Sequence, residues 1–579
     1  MFKEISWKIG GTQGEGIEAT GDLFSTGLNR LGYYLNAFRT FSSRVKGGPS
    51  TNKIRVSVDR LYSTADAVHI LVAFDQEAID LNYHEVVKEG IILADAKFEP
   101  LLPSGCGAKL LVIPFTDIAK NLGTPLMKNM VAVGASAALM GLDTTVFTEI
   151  AAEKFGRKGE AVVKSNIEAI KAGKAEVDNK LGSTPFKMEA ANKAERLFIT
   201  GNDIVGMGCI AGGARFMASY PITPATEIME YLIRHLPKVG GAVVQTEDEI
   251  SAVMMTIGAG YAGVRSVTNT SGPGLSLKAE GIGFAAMIEA PLVVVDVQRG
   301  GPSTGLPTRH EQSDIMAAIY NTHGDIPKIV LAPSTVEEAF YDTTEAFNLA
   351  EEFQCPVILI IDMQMGSSKQ TVEMLNLKKV QIRRGALQSS VPAPADPTDY
   401  FKRYLVTESG VSPRVVPGMV NGIHHSTGVE HNEMGKPSEV VSNRINQMDK
   451  RLRKLKSVKV AEPVHINAVA KEADALDVLF VGFNSTRGAI EETVAKLNGE
   501  GVKAGHAHIR LIHPFPAEKV APLVKKAKKI IIVENNATAQ LAQIMKLEVG
   551  QAEKIKNILK YDGSPFLPGE LYKKSKEVL

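Results

Sequence analysis

Residues 201 to 314 hold most of the side chains whose types and spacing suit chemistry. The run Gln245-Thr246-Glu247-Asp248-Glu249 sets three carboxylates ahead of a stretch of small and apolar residues reaching Ala262. Acidic side chains favour a helix N-terminus, by capping it and by meeting the positive end of its dipole. Glu247 and Asp248 read that way. Glu249 stands where the apolar part of the helix begins, and a carboxyl group held away from water there can share a proton with a ring nitrogen. Upstream lies Tyr220-Pro221-Ile222-Thr223-Pro224, where two prolines keep the backbone extended or turned. Thr223 presents a hydroxyl on that stiffened backbone, either for a ligand or simply within the turn that starts a helix near Thr226. Downstream, Thr270-Ser271-Gly272-Pro273-Gly274 is a strand-to-helix turn whose glycines let a ligand approach the backbone. The loop from Gln298 to Arg309 offers Arg299 and Arg309 as carboxylate partners, with Ser303, Thr304 and Thr308 as hydroxyl donors. Arginine meets a carboxylate bidentately, so an anionic substrate fits this loop.

These motifs need elements to hold them. Apolar strand-like runs at 242–245, 266–269, 292–297, 328–331 and 357–362 alternate with helical stretches, which implies a parallel α/β sheet. In such sheets ligands bind beyond the carboxyl ends of the strands, where the loop after 292–297 falls. Runs at 5–9, 69–73, 91–93 and 110–113 give the first part of the chain the same style, and runs at 478–482, 506–511 and 529–534 give it to the last part. The expected division is 1–185, 186–380, a connecting segment 381–465, and 466–579. The polar stretch 160–195 reads as an interdomain linker, and the basic run 450–459 as a solvated helix face.

With 579 residues, 44% hydrophobic and 22% charged, the chain is long enough for several cored domains. A formal net charge of +1 gives no global reason to expect nucleic acid or a membrane surface. No apolar run reaches the ~20 residues that span a bilayer, and the N-terminus lacks a signal-peptide core, so a cytoplasmic location is expected. Cys106, Cys209 and Cys355 lie far apart. Three thiolates cannot supply a four-cysteine iron–sulfur site, and they read as structural thiols.

The order glutamate, small-residue helix, GAGYAG, strand, TSGPG, strand, ligand loop resembles the pyrimidine-binding domain of thiamine-diphosphate enzymes. YPITP and QRGGPSTGLPTR narrow the resemblance to the alpha subunits of 2-oxoacid:ferredoxin oxidoreductases. GGTQGEGIEATG and KGGPSTNKIRVS resemble the family's gamma domain, fused ahead of the alpha domain. RLIHPFP and VENNA resemble its transketolase-C-like domain. YFKRYLVTESGVSPRVVPG and GVEHNEMG look closest to 2-oxoglutarate:ferredoxin oxidoreductase alpha chains.

The resemblance implies a multidomain α/β protein: a doubly wound pyrimidine-type fold flanked by the other two units. It implies that Glu249 hydrogen-bonds N1′ of the aminopyrimidine, and that Tyr220, Pro221, Ile222, Thr223, Ser271 and Gly272 also line the cofactor. Thr223, Arg299 and Thr308 are implied to hold the oxo acid, with coenzyme A as acyl acceptor and ferredoxin as electron partner. Pyruvate, a branched-chain oxo acid or indolepyruvate are the alternative substrates, and a non-enzymatic α/β binding protein is the contrasting reading.

No GDG…Asn motif for the diphosphate occurs: Gly324-Asp325-Ile326 has a bulky third residue followed by Pro327. The resemblance therefore implies a beta subunit carrying the diphosphate site, Mg²⁺ and a 4Fe-4S cluster, in a heterodimer or a dimer of heterodimers. The Gly10–Gly16 turn reads as structural, with a coenzyme A or nucleotide contact as the alternative. His310 and His513 read as loop hydrogen-bonders; the pair His424-His425 suggests a metal, but no CxxC or HxxxH partner supports one.

Overall fold

Strand-and-helix alternation folds here into three sheets. The computed structural model describes residues 1–40, 47–394, 396 and 399–579, so Lys46, which opens the KGGPSTNKIRVS motif, lies outside them. The chain forms two compact units, one of residues 1–200, 367–375 and 567–570, the other of 201–366, 376–566 and 571–579.

In the first unit an eight-stranded mixed sheet runs in the order Lys109–Ile113, Val86–Asp95, Val68–Ala73, Glu4–Thr12, Pro49–Ser57, Tyr34–Thr40, Lys369–Glu373, Arg196–Thr200. The last two strands come from the stretch 186–380 and pair antiparallel, extending this sheet. Helix Lys128–Leu139 is buried along its whole length. Helix Glu160–Leu181 packs on it, and this corrects the linker reading of 160–195. A Cβ at Gly134 would lie 1.8 Å from Ile170 O, and one at Gly173 would lie 2.0 Å from Val131 O. The helices therefore touch backbone to backbone, a contact that only glycine permits. Ala169, Ile170 and Val177 join the core while the charged residues face out. The glycine turn behaves structurally at Gly16, which has φ 85° and where a Cβ would lie 2.1 Å from the Asn129 amide.

In the second unit a seven-stranded sheet runs Leu511–His513, Ile329–Leu331, Pro356–Asp362, Leu292–Gln298, Ser266–Thr270, Phe216–Ser219, Ala242–Gln245. All its pairings are parallel except that of the first edge strand, which returns from the C-terminal segment. A five-stranded sheet follows, in the order Val464–Ile466, Ala504–Ile509, Leu476–Phe483, Ala527–Glu534, Ile555–Leu559. One continuous apolar cluster, including Val294, Ile358, Leu479 and Ile530, joins the two sheets.

The basic run is not a solvated face. Lys450 and Lys454 lie one helical turn apart and are fully buried, with their ammonium groups 2.6 and 2.7 Å from the two carboxylate oxygens of Glu289. Arg451 pairs with Glu430 at 2.7 Å. Only Lys456 and Lys459 of the run's lysines face solvent. Lys450 on its helix and Lys454 in the turn after it face inward because a buried carboxylate stands opposite them.

Candidate active site

The motifs singled out in 201–314 all leave carboxyl ends of adjacent parallel strands. Tyr220 follows strand Phe216–Ser219, Glu249 lies shortly after Ala242–Gln245, Ser271 follows Ser266–Thr270, and Arg299 follows Leu292–Gln298. The chain runs outward from Phe216–Ser219 to Ala242–Gln245, then crosses to the other side for Ser266–Thr270. The strand order thus reverses between Phe216–Ser219 and Ser266–Thr270, which is the switch point where open α/β sheets leave a ligand crevice.

Glu249 opens helix Glu249–Tyr261. Asp248 caps that helix by accepting from Ser251 N at 2.7 Å, so the capping role falls to the neighbour and leaves Glu249 free of it. The Glu249 side chain is 6% exposed, and no described residue donates a hydrogen bond to its carboxylate. A Cβ at Gly274 would lie 2.7 Å from Glu249 Oε1 and 2.0 Å from Thr270 Oγ1, so the TSGPG glycine makes room for this carboxylate. Lys278, fully buried, donates to Glu249 O at 3.2 Å. Burial pulls its ammonium down to about 8, against the opposing pull of Glu249 and Asp248.

The YPITP turn is tied down from beneath. Ile222 O accepts from Ala225 N and Thr226 N, and helix Thr226–His235 begins there. Asn202 donates to Pro224 O at 2.9 Å, and Asn269 donates to Ala225 O. Thr223 is exposed at the rim with Tyr220, while Pro221 and Ile222 are half-buried. Arg299 joins this turn to the substrate loop: it donates to Thr223 O at 2.6 Å and to Thr304 O at 3.1 Å. It is 6% exposed, and its Nε is a buried donor without a partner. The sequence offered Arg299 as an open fork, whereas part of that fork braces backbone.

Ser271 Oγ is likewise buried and unpartnered. Gly272 lies against Asp314, whose two carboxylate oxygens would each be 2.8 Å from a Cβ placed there. Burial and the nearby Glu311 push the Asp314 carboxyl up to about 7, against the pull of Arg299. Asp296, fully buried with neither oxygen hydrogen-bonded, is pushed well above the carboxylate range by burial and by Asp314. Thr308 is half-buried, and Arg309 packs on Gly563 rather than joining Arg299.

Sequence reasoning missed Asn202, Asn269, Asp296, Gln298 and Asp314. The available signal was polar residues inside apolar strands, as in LVVVDVQ, where an unpaired buried polar group is costly and so has a reason to be there. Cys209 and Cys355 are buried thiols pushed up to about 12 by desolvation. Among the described residues no group of three or more His, Cys, Asp or Glu is placed to hold a metal, and no described helix is long and apolar enough to cross a membrane. His310 Nδ1 accepts from Gln364 N, and His424 bonds Tyr261 OH.

An apolar surface borders Glu249. On its own helix Ile250 is 51% exposed, and Met254 and Met255 are also exposed, as is Leu277 at the end of helix Gly272–Leu277.

Comparison with known proteins places these features. Residues 207–450 match the family "Pyruvate flavodoxin/ferredoxin oxidoreductase, thiamine diP-bdg". Residues 6–176 match "Pyruvate ferredoxin/flavodoxin oxidoreductase", and 476–568 match "Pyruvate:ferredoxin oxidoreductase core domain II". The chain is 34% identical to the 2-oxoacid:ferredoxin oxidoreductase subunit alpha of a Sulfolobus species, over 98% of this chain and 96% of that one. It is 36% identical to the 2-oxoglutarate synthase subunit KorA of Methanothermobacter thermautotrophicus, over 65% of this chain and 97% of that one. A solved structure of 2-oxoglutarate:ferredoxin oxidoreductase from Magnetococcus marinus, with 2-oxoglutarate, coenzyme A and succinyl-CoA bound, matches with a TM-score of 0.93 and 35% identity, covering 100% of both chains.

Proposed function

Because the chain belongs to the 2-oxoacid:ferredoxin oxidoreductase family as an alpha subunit, we propose that it holds the aminopyrimidine end of thiamine diphosphate and, with a beta chain, oxidises a 2-oxo acid to an acyl-CoA. We propose 2-oxoglutarate as the oxo acid, in line with the solved relative and the KorA chains. Carbon dioxide leaves, coenzyme A takes the acyl group, and two electrons pass singly to ferredoxin; the reverse carboxylation uses the same site. The protein would act in the cytoplasm.

The residues fit the pyrimidine end of the cofactor. Ser271 Oγ is a buried hydroxyl without a partner, and Glu249, a residue only 6% exposed, accepts no hydrogen bond from the described residues. Buried polar groups are ordinarily paired, so an unpartnered hydroxyl near an unbonded carboxylate at a switch point favours a ligand there. Bound there, thiamine diphosphate supplies the electron sink for decarboxylation. Glu249 would hydrogen-bond N1′ and so favour the ring tautomer the chemistry needs. Tyr220, Pro221, Ile222, Thr223 and Gly272 line the ring. Arg299 meets the oxo acid's carboxylate with the guanidinium hydrogens not spent on Thr223 O and Thr304 O, while Thr223 and Thr308 offer hydroxyls to its carbonyl end.

The observation that carries this reading is the unbonded Glu249 carboxylate beside an exposed apolar helix face. A beta subunit covering Ile250, Met254 and Leu277 would exclude water from Glu249 and bring the diphosphate site, Mg²⁺ and the 4Fe-4S cluster. The test is ferredoxin or viologen reduction by the chain reconstituted with its beta chain, assayed with 2-oxoglutarate, pyruvate, branched-chain oxo acids and indolepyruvate. Preference for 2-oxoglutarate is expected. Preference for another acid overturns the substrate. Tight thiamine diphosphate binding and ferredoxin reduction by the chain alone overturn the shared site.

A further inference from the structure

Arg299 and Asp314 stand at the two ends of a loop, and both ends are held by the C-terminal part of the second unit. Gln298, fully buried, precedes Arg299. Its Oε1 accepts from Asp314 N at 3.1 Å, and its Nε2 donates to Asn484 Oδ1 at 3.1 Å. Asn484 lies beyond strand Leu476–Phe483, also fully buried, at φ 47°, a left-handed conformation that asparagine tolerates better than most residues.

The direction of these bonds is fixed. Asn484 Nδ2 donates to Pro333 O and Ile360 O, both at 2.9 Å, so its Oδ1 must face Gln298. An acceptor at that position forces the Gln298 amide nitrogen toward Asn484 and its oxygen toward the Asp314 N–H. Flipping either amide would set acceptor against acceptor and leave buried groups unpaired, which is costly away from water. Only one arrangement of the chain Asn484–Gln298–Asp314 satisfies every group.

The returning limb of the loop is held from the same side. Gln312 N donates to Asn535 O at 2.7 Å, Gln540 Nε2 donates to Ser313 O at 2.7 Å, and Gln540 Oε1 accepts from Met316 N at 3.0 Å. Loop segments move easily where their backbone groups bond only to water; the returning limb of this one is bonded to Asn535 and Gln540 of the C-terminal segment.

We propose that Gln298 and Asn484 are positioning residues for the oxo-acid site: the C-terminal domain, through one polarised amide relay, fixes where Arg299 and Asp314 stand. The inference rests on the assignment of Arg299 to the substrate carboxylate. It gives the C-terminal domain a part in substrate affinity although neither residue touches substrate.

The test uses the reconstituted two-chain enzyme and three variants measured together. Gln298→Met keeps the shape and removes both bonds. Asn484→Gly keeps the backbone conformation and removes the anchor. Arg299→Ala is the benchmark. The KM for 2-oxoglutarate is expected to rise roughly ten-fold in each relay variant, the size expected when a buried hydrogen-bond partner is lost, with the KM for coenzyme A unchanged. The double variant is expected to be no worse than the worse single one, because the two residues act in series. A fall in kcat with the oxo-acid KM unchanged would mean a merely structural role and overturn the inference. Additive effects would also overturn it. Should Arg299→Ala leave the oxo-acid KM unchanged, the substrate assignment itself fails, a result distinct from failure of the relay. If Gln298→Met does not assemble with the beta chain, Gln540→Met decides by the same KM criterion.

Discussion

Glu249 and Glu289 belong to the same unit, and both side chains are out of bulk water, yet their surroundings differ in kind. Glu289 is surrounded by cations. Lys450 and Lys454 approach its two oxygens at 2.6 and 2.7 Å, and Arg403 donates to its backbone carbonyl at 2.7 Å. Burial alone would raise its carboxyl, but Lys454, Lys450 and Arg403 overrule that and hold it well below the usual range. Burial pulls Lys450 down to about 8, against the opposing pull of Glu289. Glu249 has instead a glycine making room for it, a lysine bonded to its backbone rather than its carboxylate, and an apolar surface open beside it. A compensated buried charge holds a fold together. A carboxylate left without hydrogen-bond partners is open to a ligand.

The comparison breaks most readily on the compensated side. Glu289→Ala leaves two ammonium groups buried without their carboxylate, and stability is expected to fall by ~3–5 kcal/mol. Thermal or denaturant unfolding measures it, and a shift no larger than that of a surface substitution, within about 0.5 kcal/mol, would deny that this triad is structural.

At the open site, effects are expected on binding rather than on folding. Arg299→Ala removes a charge-assisted bond and is expected to cost the oxo acid roughly 1.5–3 kcal/mol of affinity, read as a rise in KM for 2-oxoglutarate. On the neighbouring apolar face, Ile250→Ser is expected to weaken association with the beta chain about ten-fold, or roughly 1.4 kcal/mol, by titration calorimetry. Unchanged affinity would show that the beta chain sits elsewhere.

Asp314 gives an effect with a defined sign. Its carboxyl keeps a proton to about pH 7 in the folded state, whereas an unfolded aspartate releases it near ~3.9. Between those values the folded state binds more protons than the unfolded one, so stability falls as pH rises. Asp314→Asn should therefore raise Tm at pH 8 and leave it unchanged near pH 4. An equal change at both values would remove the titration from the account.

Much of the site was legible because its motifs sit where strand runs stop: YPITP, the Glu249 cluster, TSGPG and the Arg299 loop all follow apolar strands. The α/β fold class was legible for the same reason, since alternation is a local property. What sequence hid is pairing across distance. Lys450 and Lys454 look like surface lysines until Glu289 is placed opposite them. Helix Glu160–Leu181 looks like a polar linker until Gly173 is seen against Val131. Asn484 gives no local hint that its amide orients Gln298, because that depends on the carbonyls of Pro333 and Ile360, far away along the chain.

The most direct measurement is hydrogen–deuterium exchange at C2 of thiamine diphosphate bound to the two-chain complex, comparing the parent with Glu249→Gln. If Glu249 serves the aminopyrimidine, exchange collapses in the variant while the complex still assembles and melts as before. Exchange at the parent's rate, in an intact complex, would take Glu249 out of the chemistry.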